Sequence, residues 1–177
     1  MESLGKLVNV TGGPGIGKST LAAGLYVELK KLGIEAEYVS EYPKELVYQE
    51  RYLTLTDQVY VFANQYHKIW TAATHNQIVI TDSPIMLSMI YNPDTSQNFN
   101  NLIIELHNKF DAMNIVLKRA PETYSSVGRI HSLTESISVD NRIREILNDY
   151  DMDYLEFDPV HDDVQKLVTF IKMEFNL

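Results

Sequence analysis

The chain has 177 residues, 45% apolar and 22% charged, the composition of one ordinary globular domain with a core large enough to stand without staples. It contains no cysteine, so a disulfide scaffold, a thiolate zinc site and cysteine catalysis are excluded. With 15 Lys and Arg against 24 Asp and Glu, its formal charge is −9, which opposes bulk nucleic-acid binding but still allows a local basic patch. No apolar run approaches a membrane span, and the stretch from Met1 to Lys6 offers no signal-peptide core, so the expected location is the cytoplasm.

Short β-rich runs alternate with helical ones along the chain. Leu7-Val8-Asn9-Val10 reads as a buried strand ended by Gly12 and Gly13. Leu21, Leu25, Leu29 and Leu32 come next at helical spacing, with Gly33 placed to stop that helix. Glu35 to Ser40 reads as a second strand. Val59, Phe62, Tyr66, Ile69 and Trp70 mark the core stripe of a longer helix from about Thr56 to Thr74. Ile78-Val79-Ile80 is the third strand, after which Ser83-Pro84 suits a helix start. Leu102, Ile103, Leu106 and Phe110 form another helical stripe, and Ile115-Val116-Leu117 a fourth strand. Ser132 and Glu135 form a candidate capping box for the helix of Ile143, Ile146 and Leu147. Tyr154 to Phe157 is a short fifth strand, and Val164, Leu167, Val168 and Ile171 belong to the closing helix. The alternation predicts an α/β three-layer sandwich: a five-stranded, mostly parallel sheet with helices on both faces, spanning residues 1–177 as one domain. Tyr91 to Asn101 reads as a solvated loop. The irregular stretch around 119–134 has the character of a lid.

Gly12-Gly13-Pro14-Gly15-Ile16-Gly17-Lys18-Ser19 matches G-x-x-x-x-G-K-[ST] at every fixed position, after a strand and at the start of a helix. Such a loop turns its backbone N–H groups onto phosphate oxygens, and the helix N-terminus adds favourable partial charge. Gly13, Pro14, Gly15, Ile16, Gly17, Lys18, Ser19 and Thr20 are therefore the candidate nucleotide-binding residues. Lys18 is placed to reach the β- and γ-phosphates, Ser19 to bind Mg²⁺, and Thr20 to meet the α-phosphate. ATP and Mg²⁺ are the expected cofactors.

Ligands of open α/β sheets sit beyond the carboxyl ends of the strands. Glu41 comes after the second strand and Asp82 after the third, so both carboxylates are expected to face the phosphate loop. One would deprotonate or orient an acceptor hydroxyl, and the other would hold Mg²⁺ or its waters. The blander alternative makes each an acid at a helix N-terminus. Arg119 comes directly after the fourth strand and Arg129 lies ten positions on. Both are placed to neutralise charge on a transferred phosphoryl group, the alternatives being a solvated strand end and a surface ion pair. His131 reads as a plain loop residue.

These residues resemble a known group. Glu41-Tyr42, Asp82-Ser83 and Leu117-Lys118-Arg119-Ala120-Pro121-Glu122 leading to Arg129 are similar to the nucleoside-kinase branch of the P-loop kinases. Asp57-Gln58, Tyr66-His67-Lys68, Val127-Gly128-Arg129 and Val139-Asp140-Asn141-Arg142-Ile143 bring the chain closest to the ribosylnicotinamide-kinase-like family. That family includes many small AAA-type ATPases of bacteriophages. The resemblance covers roughly residues 5–150. It implies Lys18 and Ser19 on phosphate and Mg²⁺, Glu41 as the acceptor-side carboxylate, Asp82 at the metal, and Arg119 and Arg129 as lid arginines. It further implies that Gln58 and Gln65 read a base edge, and that Tyr42 or Trp70 stacks on a base. An ordinary polar helix face for the glutamines and a core place for Trp70 are the competing expectations. In the chain, Asp82 is followed by Ser83 where many nucleoside kinases have arginine, and the lid holds fewer arginines than in many nucleotide kinases.

The leading expectation is a Mg²⁺–ATP-dependent kinase acting on a hydroxyl of a nucleoside or nucleotide, with a homodimer allowed. A hydroxymethyl base in DNA is the second acceptor considered. It would need a basic groove, for which Lys30, Lys31, Lys44, Arg51 and Lys68, or Lys118, Arg119, Arg129, Arg142 and Arg144, are available. A regulatory ATPase is the third reading. A GTPase is disfavoured, because Asn108-Lys109-Phe110-Asp111 matches the guanine-reading pattern but precedes the fourth strand instead of coming after a strand.

Overall fold

Strands with apolar side chains on successive residues need cover on both faces, and the computed structural model, which describes residues 3–91, 97–119 and 133–177, provides it. The sheet consists of β1 (Lys6–Thr11), β2 (Ala36–Val39), β3 (Ile78–Thr81), β4 (Asp111–Leu117) and β5 (Tyr154–Phe157), in the order β2-β3-β1-β4-β5. All four pairings are parallel, which sharpens the mostly parallel sheet expected. Each connection therefore crosses over a face of the sheet, which leaves no place for an antiparallel hairpin. The helices are α1 (Lys18–Lys31), α2 (Tyr42–Tyr48), α3 (Tyr52–Thr56), α4 (Gln58–Ala73), α5 (Ser88–Tyr91), α6 (Gln97–His107), α7 (Leu133–Asp149) and α8 (Val164–Phe175).

Strand alternation sorts the core into two halves. Val8, Val10, Ile78, Ile80, Ile115 and Leu117 meet Leu21, Leu25 and Leu29 of α1 and Leu167, Val168 and Ile171 of α8. Leu7, Val79 and Val116 point the other way, toward Phe62 and Ile69 of α4, Ile103 of α6, and Ile143, Ile146 and Leu147 of α7. These are the two helical layers of the sandwich. α1 stops at Gly33, as its spacing predicts. Gly33, at φ 77°, donates to Lys30 O, and Ile34 donates to Leu29 O at 3.1 Å, the paired bonds of a left-handed helix end.

The expected stripes are rotated in places. Val59 and Trp70 of α4 are exposed, and the helix buries Val61, Phe62, Gln65, Ile69, Ala72 and Ala73 instead. Trp70 stacks on His67 at the surface, so it is not a core residue. Leu32 and Leu102 are also exposed. Pro84 does not open an α-helix but precedes a 3₁₀ turn, Ile85–Leu87. α6 begins at Gln97, inside the stretch expected to be a loop. α2 and α3 have no counterpart among the expected elements, since Tyr42 to Thr56 carries no sustained helical period. Ser132, half of the capping box, lies outside the described residues, as does the lid segment from 120 onward to 132.

His107, at the end of α6, is 5% exposed, and its Nδ1 has no partner among the described residues. Burial holds its pKa down to about 4. The unfolded chain takes up that proton near pH 6.5, so stability present above that pH is lost as pH falls toward 4. Unfolding in urea should show a loss of about 2 kcal/mol between pH 7 and pH 5 from this residue alone. His107→Leu should flatten that part of the stability profile.

Candidate active site

β1 ends at Thr11 and α1 begins at Lys18, so the six residues between them must reverse direction in a tight loop. Gly17, the N-cap of α1, has φ 100°, a left-handed backbone that suits glycine. No side chain caps α1 and no acid occupies its first turn, which leaves its amide ends suited to an anion. Gly13 is fixed by crowding. A Cβ there would collide with the Ser136 carbonyl oxygen and lie 2.8 Å from Asp140 Oδ1 and 2.9 Å from the Arg119 guanidinium.

Lys18 Nζ donates to Gly13 O at 3.2 Å. Burial lowers its pKa, against the pull of the Glu41, Asp82 and Asp140 carboxylates, while nearby Arg119 lowers it further. The structure thus gathers Lys18, Glu41, Asp82 and Arg119 of the predicted set around the loop. Asp82 is 1% exposed; its Oδ2 accepts from the Tyr38 hydroxyl at 2.8 Å, and its Oδ1 has no partner among the described residues. Glu41 is the N-cap of α2, yet its carboxylate accepts no hydrogen bond from that helix. Burial raises its pKa, Lys18 opposes, Asp82 adds to the rise and Lys44 opposes. Glu41 thus stands at the N-terminus of α2 without a capping hydrogen bond and close to Lys18 and Asp82. Tyr91, exposed on one side, has its phenol pushed up to about 12 by burial and by the Glu41 and Asp140 charges, which places it at the same mouth.

A relay of hydrogen bonds fixes the carboxyl ends of β2 and β3. Gln65 Oε1 accepts from Tyr42 N at 2.8 Å, Gln65 Nε2 donates to Thr81 Oγ1 at 3.4 Å, and Thr81 Oγ1 donates to Val39 O at 2.9 Å. Ser83 N in turn donates to Thr81 Oγ1 at 3.1 Å. The buried Gln65 amide is thus bonded to the scaffold through both its oxygen and its nitrogen, and Gln58 Nε2 donates to Leu55 O. Asp57 caps α4 by accepting from Tyr60 N. Tyr66 packs on Phe62 and Phe110, and Lys68 pairs with Glu45. Of the aromatic candidates, Tyr42 comes directly after Glu41, and its hydroxyl donates to that of Tyr60 at 3.2 Å.

Arg119 is at the loop but already engaged. Its Nε and a terminal nitrogen meet the Asp140 carboxylate at 2.6 and 3.3 Å, and the terminal nitrogen also donates to Pro14 O at 3.1 Å. Both side chains are nearly buried, at 10% and 7% exposure. Asp140 Oδ1 also accepts from Gly13 N at 2.5 Å. Asp140 and Tyr38 carry no sequence signal as site residues: one lies two turns into a helix, the other inside a strand. Arg129 lies outside the described residues.

Most of the candidate basic groove is neutralised. Lys118 and Arg144 share Glu156, each at 3.2 Å, Arg142 pairs with Glu145, and Lys31 with Glu28. Asn108 to Asp111 sits where α6 meets the amino end of β4, away from the phosphate loop, so its match to the guanine pattern is coincidental. No helix among the described residues is long and apolar enough to cross a membrane.

A glycine-rich loop between strand and helix, at the carboxyl edge of a wholly parallel sheet with acids at the strand ends, defines a P-loop NTPase fold. The family model described as AAA domain matches residues 7–163, and the chain belongs to that family. No curated protein matches it. Among solved structures, a NadR protein in complex with NR aligns with 98% of the chain at TM-score 0.71 and 18% identity. The chain spans about half of that protein, 52%. Deoxyadenosine kinase from M. mycoides with bound dATP aligns over 97% of this chain and 100% of its own, at TM-score 0.58 and 24% identity. The APS kinase CysC of Mycobacterium tuberculosis aligns over 98% of both chains, at TM-score 0.53 and 14% identity.

Removing Arg119 would strand the Asp140 carboxylate in a buried place. Arg119→Met should therefore lower stability by about 3–5 kcal/mol in urea unfolding. Replacing both partners with apolar residues should recover part of the loss.

Proposed function

We propose that the chain is a Mg²⁺–ATP-dependent phosphotransferase that moves the γ-phosphoryl group of ATP to a hydroxyl of a nucleoside or nucleotide. The observation that carries this reading is the second carboxylate. A phosphate loop with Asp82 is enough for nucleotide binding, but Glu41 is also partly buried beside Lys18, is not spent on its own helix, and has a raised pKa. That is the environment of a base for an acceptor hydroxyl. The kinase folds of the structural neighbours support the same class.

In this reading the loop amides from Gly15 to Ser19 cradle the phosphates, while the Gly13 amide stays on Asp140 and Pro14 has none to offer, with Thr20 at the α-phosphate and Lys18 bonding the β- and γ-oxygens. Ser19 and the open oxygen of Asp82 suit a hydrated Mg²⁺, which when bound would offset charge on the β- and γ-phosphates. Glu41 takes the acceptor proton as the acceptor oxygen bonds to the γ-phosphorus and the bond to the ADP oxygen breaks. Arg119, held by Asp140, keeps positive charge at Pro14, and Arg129 is the remaining lid cation from the sequence pattern. The neutralised basic residues favour a small acceptor over DNA.

The test is γ-labelled ATP with Mg²⁺ against nucleosides, nucleoside monophosphates, nicotinamide riboside, plain DNA and DNA carrying hydroxymethyluracil. Label is expected in a small molecule. Label only in DNA, or only free phosphate from every mixture, overturns the reading. Lys18→Ala should reduce transfer roughly 10²–10³-fold.

Glu41 must be ionised to accept the proton, so kcat/KM should fall as pH drops through its pKa. Because that pKa is raised, the fall should begin above the ordinary carboxylate range. Glu41→Gln should lower kcat by roughly 10²–10⁴-fold and abolish that acid limb.

A further inference from the structure

Among the described residues, Tyr38 is bonded to Asp82 and belongs to no motif. In β2 it pairs with Ile80 of β3, and strand alternation puts Tyr38, Ile80 and Asp82 on the α1 face of the sheet. The ring packs against the core on that face, and its hydroxyl rises to Asp82 Oδ2 at 2.8 Å. Ser19, in the first turn of α1, lies near the same hydroxyl. The phenol thus holds one oxygen of a side chain assigned to the cation, while Asp82 Oδ1, buried, has no partner among the described residues.

A buried carboxylate with one free oxygen can rotate unless the other is held. A Lys or Arg would hold it but would cancel its charge and repel a divalent cation. A phenol holds it and leaves the charge intact. We propose that Tyr38 is a positioning residue for the divalent cation, locking one oxygen of Asp82 so that the other faces the cation or its water. The inference rests on the phosphotransferase reading only for the cation's place beside Ser19.

Tyr38→Phe keeps the ring and deletes the hydroxyl. Mn²⁺ binding to the protein–ADP complex, monitored by electron paramagnetic resonance, should weaken about tenfold, the usual cost of losing a group that orients a metal-binding side chain. The Mg²⁺ concentration for half-maximal transfer should rise by a similar factor, with the acceptor KM unchanged. In an Asp82→Asn background, Tyr38→Phe should add nothing. Unchanged Mn²⁺ affinity in Tyr38→Phe overturns the proposal, and so does an equal tenfold loss in the Asp82→Asn background. Thermal unfolding of the variant without nucleotide shows whether it is folded, and Tyr38→Trp, which keeps an aromatic ring but places no hydroxyl at Asp82, should show the same loss. The resonance comparison needs only cation and ADP. It decides Tyr38 even where no acceptor is phosphorylated, an outcome that would overturn the phosphotransferase reading alone.

Discussion

Parallel pairing of β1 with β3 on one side and β4 on the other is the constraint on which the site depends. It aligns Asn9 with Thr81 and Asn114, so the chain leaves all three strands at the same edge. The phosphate loop, Asp82 and Arg119 each lie within two residues of a strand's end, and only a wholly parallel sheet brings them together. Glu41 joins them from β2 for the same reason. The edge is apolar beneath, with Val10, Ile80 and Leu117 fully buried, so charges above it feel little solvent on their inner side.

The charges there leave one carboxylate in excess. Three carboxylates act on Lys18, and Arg119 stands with them. Asp140 does two jobs with one side chain: it pairs with Arg119 and accepts the Gly13 amide. Through it, α7 and the end of β4 are tied to the loop, and Gly13 leaves room for that approach. Tyr38 and Gln65 serve Asp82 and the β2–β3 ends without adding charge.

Much of this is legible in the sequence because it obeys local rules. The five strands are apolar runs, the loop has a spelling set by phosphate geometry, and Glu41, Asp82 and Arg119 stand out as charged residues just beyond strand ends. The features that the sequence hides depend on contacts distant along the chain. Asp140 meets Gly13 across 127 positions, and Tyr38 meets Asp82 across 44. Neither spacing is periodic. The phase of α4 differs from its apolar pattern because its buried face includes Gln58 and Gln65, polar residues that such a pattern places outside. Of these two amides, Gln65 is bonded at both ends within the scaffold.

The central position of β1 has a consequence for how the chain is made. β1 precedes the other strands of its sheet, yet its neighbour β3 arrives roughly seventy residues later and β4 roughly a hundred. Ordering such distant segments costs loop-closure entropy before any sheet contact repays it, so folding of this topology is intrinsically slow. During synthesis an apolar strand therefore waits without a partner while ribosomes add some 5–20 residues per second. The phosphate loop cannot reach its final form until Asp140 has emerged. A motif spelled within eight consecutive residues is thus completed only by a residue 127 positions away from its second glycine.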